Sequence, residues 1–233
     1  MELISWNVGG LNDNKKRLIL WNYIRQYNKD HSQNNVMCVL QKTHTTEETT
    51  KQWSFELGPQ WKIYASNGQS NSKGVWIITN NNWKSQLLEV DKDGRLVEIE
   101  LEINNQKINI ANIYSPSNRE ERIKWIPKLP WKKWEQQNTI VGGDWNIVTE
   151  QEGKHSITTK YQEKEDSTLL KQYTMEYNFL DMWKWKGEGK GHTFFHRGCA
   201  TTTRIDKWFI PIIISGWIKK MMVNNETTIY QFK

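Results

Sequence analysis

A short glycine-rich segment brings a carboxylate and an amide side chain close together in the chain. Its sequence is GGDWN, residues Gly142–Asn146, and it follows the apolar run Thr139–Val141. The glycines permit a tight turn from which Asp144 and Asn146 project. Carboxylate oxygens suit Mg²⁺, and fixed hydrogen-bond donors suit the charge of a phosphoryl group. An Asp-x-Asn sequence also makes ordinary turns, so this segment alone leaves both interpretations open.

Other polar residues also stand at the ends of apolar segments. Asn7 follows Glu2–Trp6, and Gln41–His44 follow Val36–Leu40. Tyr114 ends a third apolar segment. Loops held by a rigid sheet are common places for functional sites. Each of these residues, taken alone, also has a purely structural interpretation.

The segments that must position these residues alternate between strand and helix at both ends of the chain. Glu2–Trp6 and Val36–Leu40 are predicted strands, and Asp13 can cap a helix between them. A second helix is predicted after Thr46. Further predicted elements are helices at Arg119–Trp125, Trp131–Gln137 and Lys164–Tyr177, and strands at Thr139–Val141, near His192–His196 and at Arg204–Ile210.

The middle of the chain is predicted to be rich in strands. Arg95–Ile103 alternates apolar and charged residues, and a turn then leads into Lys107–Tyr114 as a hairpin. The other predicted strands of this block are Trp61–Ala65, Gly74–Thr79 and Gln86–Val90. An antiparallel block between alternating ends favours an α/β fold with helices flanking the sheets over an all-β sandwich. The length of 233 residues fits one such domain.

Composition limits the function only loosely. The net charge of +6 suits a polyanionic partner, but it is also common in proteins without one. The 14 tryptophans, such as Trp76 and Trp208, are expected to pack in the core, with exposed stacking platforms for bases as the alternative. Two cysteines, Cys38 and Cys199, support neither a disulfide framework nor a zinc site.

No signal peptide or membrane-spanning segment is predicted. We therefore expect an intracellular protein, nuclear or cytoplasmic, without a membrane partner.

The order and spacing of six motifs make the pattern more specific than any one of them. In chain order they are Trp6–Leu11 (WNVGGL), Leu40–His44 (LQKTH), Gly94–Leu96 (GRL), Asn112–Pro116 (NIYSP), Gly142–Asn146 (GGDWN) and Thr203–Asp206 (TRID). Together they resemble the endonuclease/exonuclease/phosphatase superfamily, and within it the endonuclease domain of LINE-type retrotransposons and apurinic/apyrimidinic endonucleases. The resemblance covers about Met1 to Ile210. It implies a four-layer α/β sandwich of two packed mixed sheets flanked by helices.

The resemblance also implies roles for individual residues. Asn7 matches the first motif, near the metal and the phosphate, and Tyr114 matches a tyrosine that contacts the phosphate. Asp144 matches the aspartate that activates water or protonates the leaving oxygen. Asn146 matches the asparagine that holds the phosphoryl oxygen, and Asp206 matches an aspartate that orients a terminal histidine. The implied cofactor is one Mg²⁺ or Mn²⁺, the implied partner is DNA, and no small-molecule cofactor is expected.

This chain departs from the family pattern at three points. Lys42 stands where the family has the glutamate that is its principal metal ligand, and Gly9 stands where Asp or Asn is frequent. The family's terminal Ser-Asp-His strand has no counterpart, because His196 is the last histidine. Residues 211–233 are therefore expected to form a divergent tail that replaces this strand. Metal-dependent cleavage is therefore expected to be absent or severely reduced, because an ammonium cannot ligate a cation.

Two questions remain open at this stage. Without a closing strand one sheet has an exposed edge, unless Thr227–Phe232 supplies a substitute. The Lys42 ammonium could take the place of the metal and attract the phosphate, or it could extend into solvent. His44 is expected only to be a loop residue beside the site.

Basic residues after the Tyr114 loop are candidates for contacts with the phosphate backbone, although a solvated helix face has the same composition. They are Arg119, Arg122, Lys124 and Lys128, followed by Lys132 and Lys133. The candidate functions are an active or impaired nicking endonuclease of DNA, a non-catalytic nucleic-acid-binding remnant, and a phosphatase or phosphodiesterase of the same superfamily. An expressed fragment without function is also compatible with the sequence. The oligomeric state stays open.

Overall fold

Two β-sheets packed face to face, with helices on both outer sides, form the protein. The computed structural model describes residues 1–31, 36–68, 72–103, 105–149, 154–155, 163–188, 191–195, 202–224 and 227–232. The strands are β1 (Glu2–Asn7), β2 (Val36–Gln41), β3 (Trp61–Ser66), β4 (Val75–Asn80), β5 (Ser85–Val90), β6 (Leu96–Ile103), β7 (Gln106–Tyr114), β8 (Thr139–Asp144), β9 (Lys154–His155), β10 (Phe179–Asp181), β11 (Gly187–Glu188), β12 (Phe194–Phe195), β13 (Thr202–Thr203), β14 (Asp206–Pro211), β15 (Ile218–Asn224) and β16 (Thr227–Phe232). The α-helices are α1 (Asn14–Asp30), α2 (Glu47–Leu57), α3 (Arg119–Trp125), α4 (Trp131–Gln136), α5 (Glu165–Glu176) and α6 (Met182–Lys186), and 3₁₀ turns occupy Ile126–Lys128 and Ile212–Trp217.

The first sheet has the strand order β11-β15-β16-β1-β2-β4-β3. Its centre is the parallel pair β1 and β2, in which Asn7 lies opposite Gln41. Both strands therefore end at the same edge of the sheet, and the loops that follow them lie side by side. The predicted polar residues after these two strands are thus brought together by the register.

The second sheet has the order β10-β14-β8-β7-β6-β5. Strands β7 and β8 are parallel and pair Tyr114 with Asp144. Strand β14 is antiparallel to β8 and pairs Asp206 with Asp144. Three predicted site residues therefore form one row across this sheet. A small separate sheet contains β12, β13 and β9.

Alternation along the strands produces the four layers. Leu3 faces the inner core between the sheets, where it belongs to one cluster with Ile99 and Ile140 of the second sheet. The next residue, Ile4, faces outward and packs in the cluster that includes Trp21 of α1. This is the period of two expected for a strand covered on both faces. The second sheet is covered on its outer side by residues of α3 to α5 and the first 3₁₀ turn, so the predicted α/β sandwich is confirmed.

The closing strand that the sequence left open is present. Strand β16 pairs antiparallel with β1, with Ile4 opposite Ile229, and β15 pairs with β16. Thr227–Phe232 therefore supplies the substitute strand, and β1 does not form an edge of the sheet. The apolar pattern of each segment does not show that β15 and β16 pair with each other, so this hairpin is known only from the structure.

The tryptophans mainly pack in the interior, as predicted from their position in apolar segments. Trp76, Trp145 and Trp208 are fully buried, whereas Trp185 is exposed. Trp6 packs edge to face on Tyr23 of α1. Cys38 is a buried thiol in β2, while Cys199 and His196 lie outside the described residues.

Candidate functional site

Asp144 is the centre of the site at the end of β8. Its side chain is buried and both carboxylate oxygens accept hydrogen bonds. Oδ2 accepts from the Asn7 amide at 2.7 Å, and Oδ1 accepts from the backbone N–H of Asn146 at 2.9 Å. Gly143 allows β8 to lie close to β7, because its φ is +131° and a Cβ there would lie 2.2 Å from the Ile113 carbonyl oxygen. Asn7 and Asp144, which the sequence predicts separately as site residues, are thus in direct contact across the two sheets.

Burial and neighbouring groups shift the pKa of Asp144 in opposite directions. Burial raises the pKa of the carboxyl to about 6, which is opposed by the hydrogen bonds from Asn146 and Asn7. The positive charges of Lys42 and Arg122 also lower this pKa. At neutral pH the carboxylate is therefore mostly ionised, and its principal cationic neighbour is Lys42.

Tyr114 and Asn146 line the same end of the second sheet. The pKa of the half-buried Tyr114 is raised by burial and by Asp144, and the guanidinium of Arg95 opposes this shift. That guanidinium lies 5.8 Å from the centre of the Tyr114 ring and donates to the Tyr114 carbonyl at 3.1 Å. The Asn146 amide donates to the Ser115 carbonyl at 3.0 Å, and Asn146 has a φ of 54°. In this conformation the side-chain amide of Asn146 holds the loop in place, because its N–H donates to the Ser115 carbonyl.

Asp206 lies beside Asp144 in the row of the second sheet. It is buried, and its Oδ1 has no hydrogen-bond partner among the described residues. Burial and the charge of Asp144 raise the pKa of Asp206 to about 8, against the Thr193 hydroxyl and the Lys207 ammonium. Burial and the charge of Asp144 outweigh the Lys207 ammonium, so Asp206 is mostly neutral at pH 7.

A buried amide network joins the two sheets behind the site. Gln41 Nε2 donates to Asn112 Oδ1 at 2.7 Å, and the Asn112 amide donates to the carbonyls of Leu40 and Trp76, each at 2.9 Å. Asn112 belongs to the NIYSP motif, and its position inside an apolar strand is the sequence signal for such a buried polar contact. The network fixes the end of β2, from which Lys42 projects.

Lys42 begins a loop that backbone hydrogen bonds hold rigidly. The Gly10 N–H donates to the Lys42 carbonyl at 2.7 Å, and the Thr43 N–H donates to the Gly74 carbonyl at 3.0 Å. Lys42 has a left-handed φ of 57°, and His44 has one of 58°. The positive charge of Lys42 lowers the pKa values of Asp144 and His44.

His44 is packed against the first loop. A Cβ at Gly10 would lie 2.9 Å from His44 Nδ1, and the φ of Gly10 is +93°. The pKa of His44 is lowered by burial and by the charges of Lys42 and Lys16. Lys16, which carried no predicted role, donates from its ammonium to the carbonyls of Val8 and Gly9. The closeness of this helix residue to the site depends on the tertiary fold.

The residues at this edge do not fit a divalent metal ion. Among the described parts of the chain no group of three or more His, Cys, Asp or Glu side chains could hold a metal. Asn7 Oδ1 accepts from the Gly9 N–H at 3.3 Å, and both Asp144 oxygens are engaged. The positive charge of Lys42 also acts on Asp144 and lowers its pKa. This set of ligands is poor in negative charge, which Mg²⁺ and Mn²⁺ require.

The basic residues after the Tyr114 loop divide into two groups. Arg119, Lys124 and Lys128 are exposed, and Arg119 approaches Glu165 at 3.8 Å. Arg122, by contrast, is buried. Its guanidinium pairs with Asp166 at 2.7 Å and donates to the carbonyls of Pro116 and Ser117. Arg122 thus does not belong to the exposed basic surface expected from the sequence, because its donors hold this loop to α5.

An Asp–Asn pair, a tyrosine and a second aspartate thus lie together at one end of the two packed sheets. Residues 4–211 match the Endonuclease/Exonuclease/phosphatase family. The chain belongs to this family.

Particular relatives are similar over most of the chain. The Transposon TX1 uncharacterized 149 kDa protein of Xenopus laevis is 23% identical over 181 residues, which is 73% of this chain and 13% of that protein. The chain thus spans about 13% of the length of this relative.

Two solved structures share the fold. The AP endonuclease LMAP from Leishmania major has a TM-score of 0.80 at 12% identity, covering 100% of this chain and 87% of the other. The endonuclease domain of TRAS1, a telomere-specific non-LTR retrotransposon, has a TM-score of 0.71 at 13% identity, covering 100% of this chain and 97% of the other.

Within the described residues, no helix is both long and apolar enough to cross a membrane.

Proposed function

We propose that this chain is a DNA-acting endonuclease domain of the retrotransposon type in which metal-dependent cleavage is impaired. The retrotransposon assignment is supported by the similarity to a transposon protein and to the endonuclease domain of TRAS1. DNA as the partner is supported by the AP endonuclease and retrotransposon endonuclease among the similar structures.

The observation that carries the proposed impairment is the position of Lys42. Its positive charge acts on Asp144, at the place where the family pattern has a metal-binding glutamate. Replacing a carboxylate by an ammonium changes the local charge by about two units, so a divalent cation is repelled where it should be bound. Among the described residues, no group of three or more His, Cys, Asp or Glu side chains supplies compensating ligands.

The remaining residues support phosphate recognition more than hydrolysis. Asn7 orients Asp144, and Arg95 stands over Tyr114 at the same edge. The exposed side chains of Arg119, Lys124 and Lys128 offer contacts to the DNA backbone beside it. Such contacts position a duplex but do not read its sequence, so binding without strong sequence preference is expected.

Nicking of supercoiled plasmid tests this proposal. The purified chain is incubated with plasmid in Mg²⁺ and in Mn²⁺, beside Asp144→Ala as the control for contaminating nuclease. We expect the two proteins to produce the same background of open circles. Nicking by the wild-type chain that Asp144→Ala abolishes would refute the proposed impairment.

The Lys42→Glu variant makes the test sharper. It restores a carboxylate at the place where Lys42 now repels a metal. Binding of Mn²⁺, followed by isothermal titration calorimetry, is expected for Lys42→Glu and not for the wild-type chain. Equal Mn²⁺ affinity of the two proteins would show that Lys42 does not control metal binding.

A further inference from the structure

A groove between α5 and α6, the β10 groove, lies at one lateral edge of the second sheet. Strand β10 is the outermost of the strands described on this side of the sheet. Asp181 of β10 pairs with Phe209 of β14, and Phe209 lies three residues, or about 10 Å, along that strand from Asp206. The β10 groove is therefore distinct from the row of site residues that Asp206 and Asp144 form.

The groove contains a cavity of about 480 Å³, which is within the range of ligand pockets in proteins. All three residues of β10 line this cavity, although successive side chains of a strand point to opposite faces of its sheet. The cavity therefore lies along the outer edge of β10 rather than over one face. Its two walls are formed by Leu170 and Met175 of α5 and by Lys184 and Trp185 of α6.

Large apolar side chains remain exposed around this cavity. Met175 on the α5 wall is 78% exposed, and Trp185 on the α6 wall is 49% exposed. Ile212 and Ile213, which are 50% and 82% exposed, lie at the start of β10, where the Ile212 N–H donates to the Asn178 carbonyl at 2.9 Å. Soluble proteins rarely expose several large apolar residues around one place unless a partner covers them. The edge of β10 therefore has the composition of an interaction surface.

The rim of the β10 groove is basic. Lys171 and Lys184 line the cavity, and the Lys186 ammonium lies 5.5 Å from the centre of the Trp185 ring. These charges favour a negatively charged partner. They disfavour a second copy of this chain, which would bring the same lysines and a net charge of +6 to the contact.

The acidic groups beside the rim do not cancel its charge. The Asp181 carboxylate, which lines the cavity, is paired with the Arg204 guanidinium at 2.9 Å. Glu163 pairs with Lys171 at 2.6 Å, and both side chains of this pair are more than a third exposed. Because an exposed ion pair contributes little free energy, Lys171 can exchange Glu163 for a carboxylate of a partner.

We propose that the β10 groove binds an extended acidic peptide segment of a partner protein, with one large apolar side chain of that segment inserted into the cavity. The edge of β10 offers backbone groups to an extended chain. Tryptophan and methionine, which stand on the two walls, are enriched at protein interfaces. The exposed Ile212 and Ile213 extend the surface beyond the cavity, so a segment of several residues covers it better than a small molecule does. This inference requires neither DNA nor a metal ion.

Fluorescence anisotropy with fluorescein-labelled peptides tests the groove. The probe is the peptide Ser-Glu-Asp-Thr-X-Thr-Asp-Glu-Ser, in which the central residue X is Trp, Phe, Leu or Ser. A basic counterpart carries Lys in place of each acidic residue and Trp at the centre. Binding of the full chain to each peptide is measured over a series of NaCl concentrations.

Two variants of the groove are compared with two matched controls on α2, which covers the first sheet. Trp185→Ser removes an exposed apolar wall residue, and Phe55→Ser removes an apolar side chain that is 89% exposed elsewhere. Lys171→Glu reverses a charge on the rim, and Lys51→Glu reverses a charge that is also paired with a glutamate, at 2.8 Å. Circular dichroism and thermal unfolding establish that each variant is folded.

The wild-type chain is expected to bind the acidic peptides with an apolar centre at a Kd of about 10–100 μM and to bind the Ser-centred and basic peptides far more weakly. Trp185→Ser and Lys171→Glu should each raise Kd by about fivefold or more. The effect of Lys171→Glu should shrink as NaCl increases, because salt screens the exposed charges. Phe55→Ser and Lys51→Glu should leave Kd within about twofold of the wild-type value.

Three kinds of result would overturn the proposal. The first is no binding of any acidic peptide by the folded wild-type chain, or binding that Trp185→Ser weakens no more than Phe55→Ser does. The second is binding of tryptophanol as tight as that of the Trp-centred peptide, which would make the cavity a site for a small molecule. The third is a dimer in sedimentation velocity that Trp185→Ser dissociates, which would make a second copy of this chain the occupant.

Discussion

Neutralising Asp206 should stabilise the protein at neutral and alkaline pH. Burial and the charge of Asp144 raise the pKa of Asp206 from its ordinary value of 3.8 to about 8. Between these values the folded protein keeps the proton and the unfolded chain releases it. The free energy of unfolding therefore falls as pH rises through this window and levels off above about pH 8. Each pKa unit corresponds to about 1.4 kcal/mol, so the shift costs on the order of 5 kcal/mol when complete.

Asp206→Asn removes the titrating group and keeps its shape. The difference in unfolding free energy between variant and wild type should be smallest near pH 4 and grow with pH, reaching several kcal/mol above pH 8. Urea denaturation followed by tryptophan fluorescence measures this difference at each pH, since the chain has 14 tryptophans.

A matched variant with the opposite expected sign is Asp166→Asn. Asp166 is buried, like Asp206, but it pairs with the Arg122 guanidinium at 2.7 Å. Removing this carboxylate leaves a buried cation unpaired and should cost about 3–5 kcal/mol at neutral pH. A stability difference between Asp206→Asn and wild type that is constant with pH would refute the reasoning, as would a variant that is less stable than wild type at pH 8.

Three further predictions concern the loops and the network behind the site. Gly10→Ala should destabilise the fold by about 1–3 kcal/mol in urea denaturation, because Gly10 has a φ of +93° and a Cβ there meets His44; unchanged stability would contradict the packing of that imidazole. Asn112→Leu should cost about 2–4 kcal/mol, because it leaves two buried carbonyls without their donors, and a neutral effect in thermal or urea unfolding would show that the network is dispensable. Asn7→Ala should raise the pKa of Asp144 above its value of about 6, because the ionised form loses a hydrogen bond at 2.7 Å; carboxyl chemical shifts during an NMR pH titration measure this, and an unchanged or lower pKa would exclude the contact.

Most strands and helices could be predicted from the sequence because their signals are local. Arg95–Ile103 alternates apolar and charged residues and corresponds to β6, Leu96–Ile103. Asp13 is the predicted cap and accepts from two backbone N–H groups at the start of α1. The closing hairpin lacks such a local signal, because pairing of β16 with β1 joins residues from opposite ends of the chain. Local propensity does not determine such long-range pairing.

In the candidate site, too, some features are determined by the sequence and others only by the tertiary structure. Residue order and type alone determined the motifs, the family resemblance and the replacement of a carboxylate by Lys42. The tertiary structure decided which of these groups touch. Asn7 reaches Asp144 across the two sheets, and the buried Asp206 has no partner for Oδ1 among the residues that the structure describes. It also buried Arg122 against Asp166 and brought Lys16 to the loops. Burial and distance set the charge of each side chain and its access to a ligand, and both arise only when segments far apart in sequence pack together.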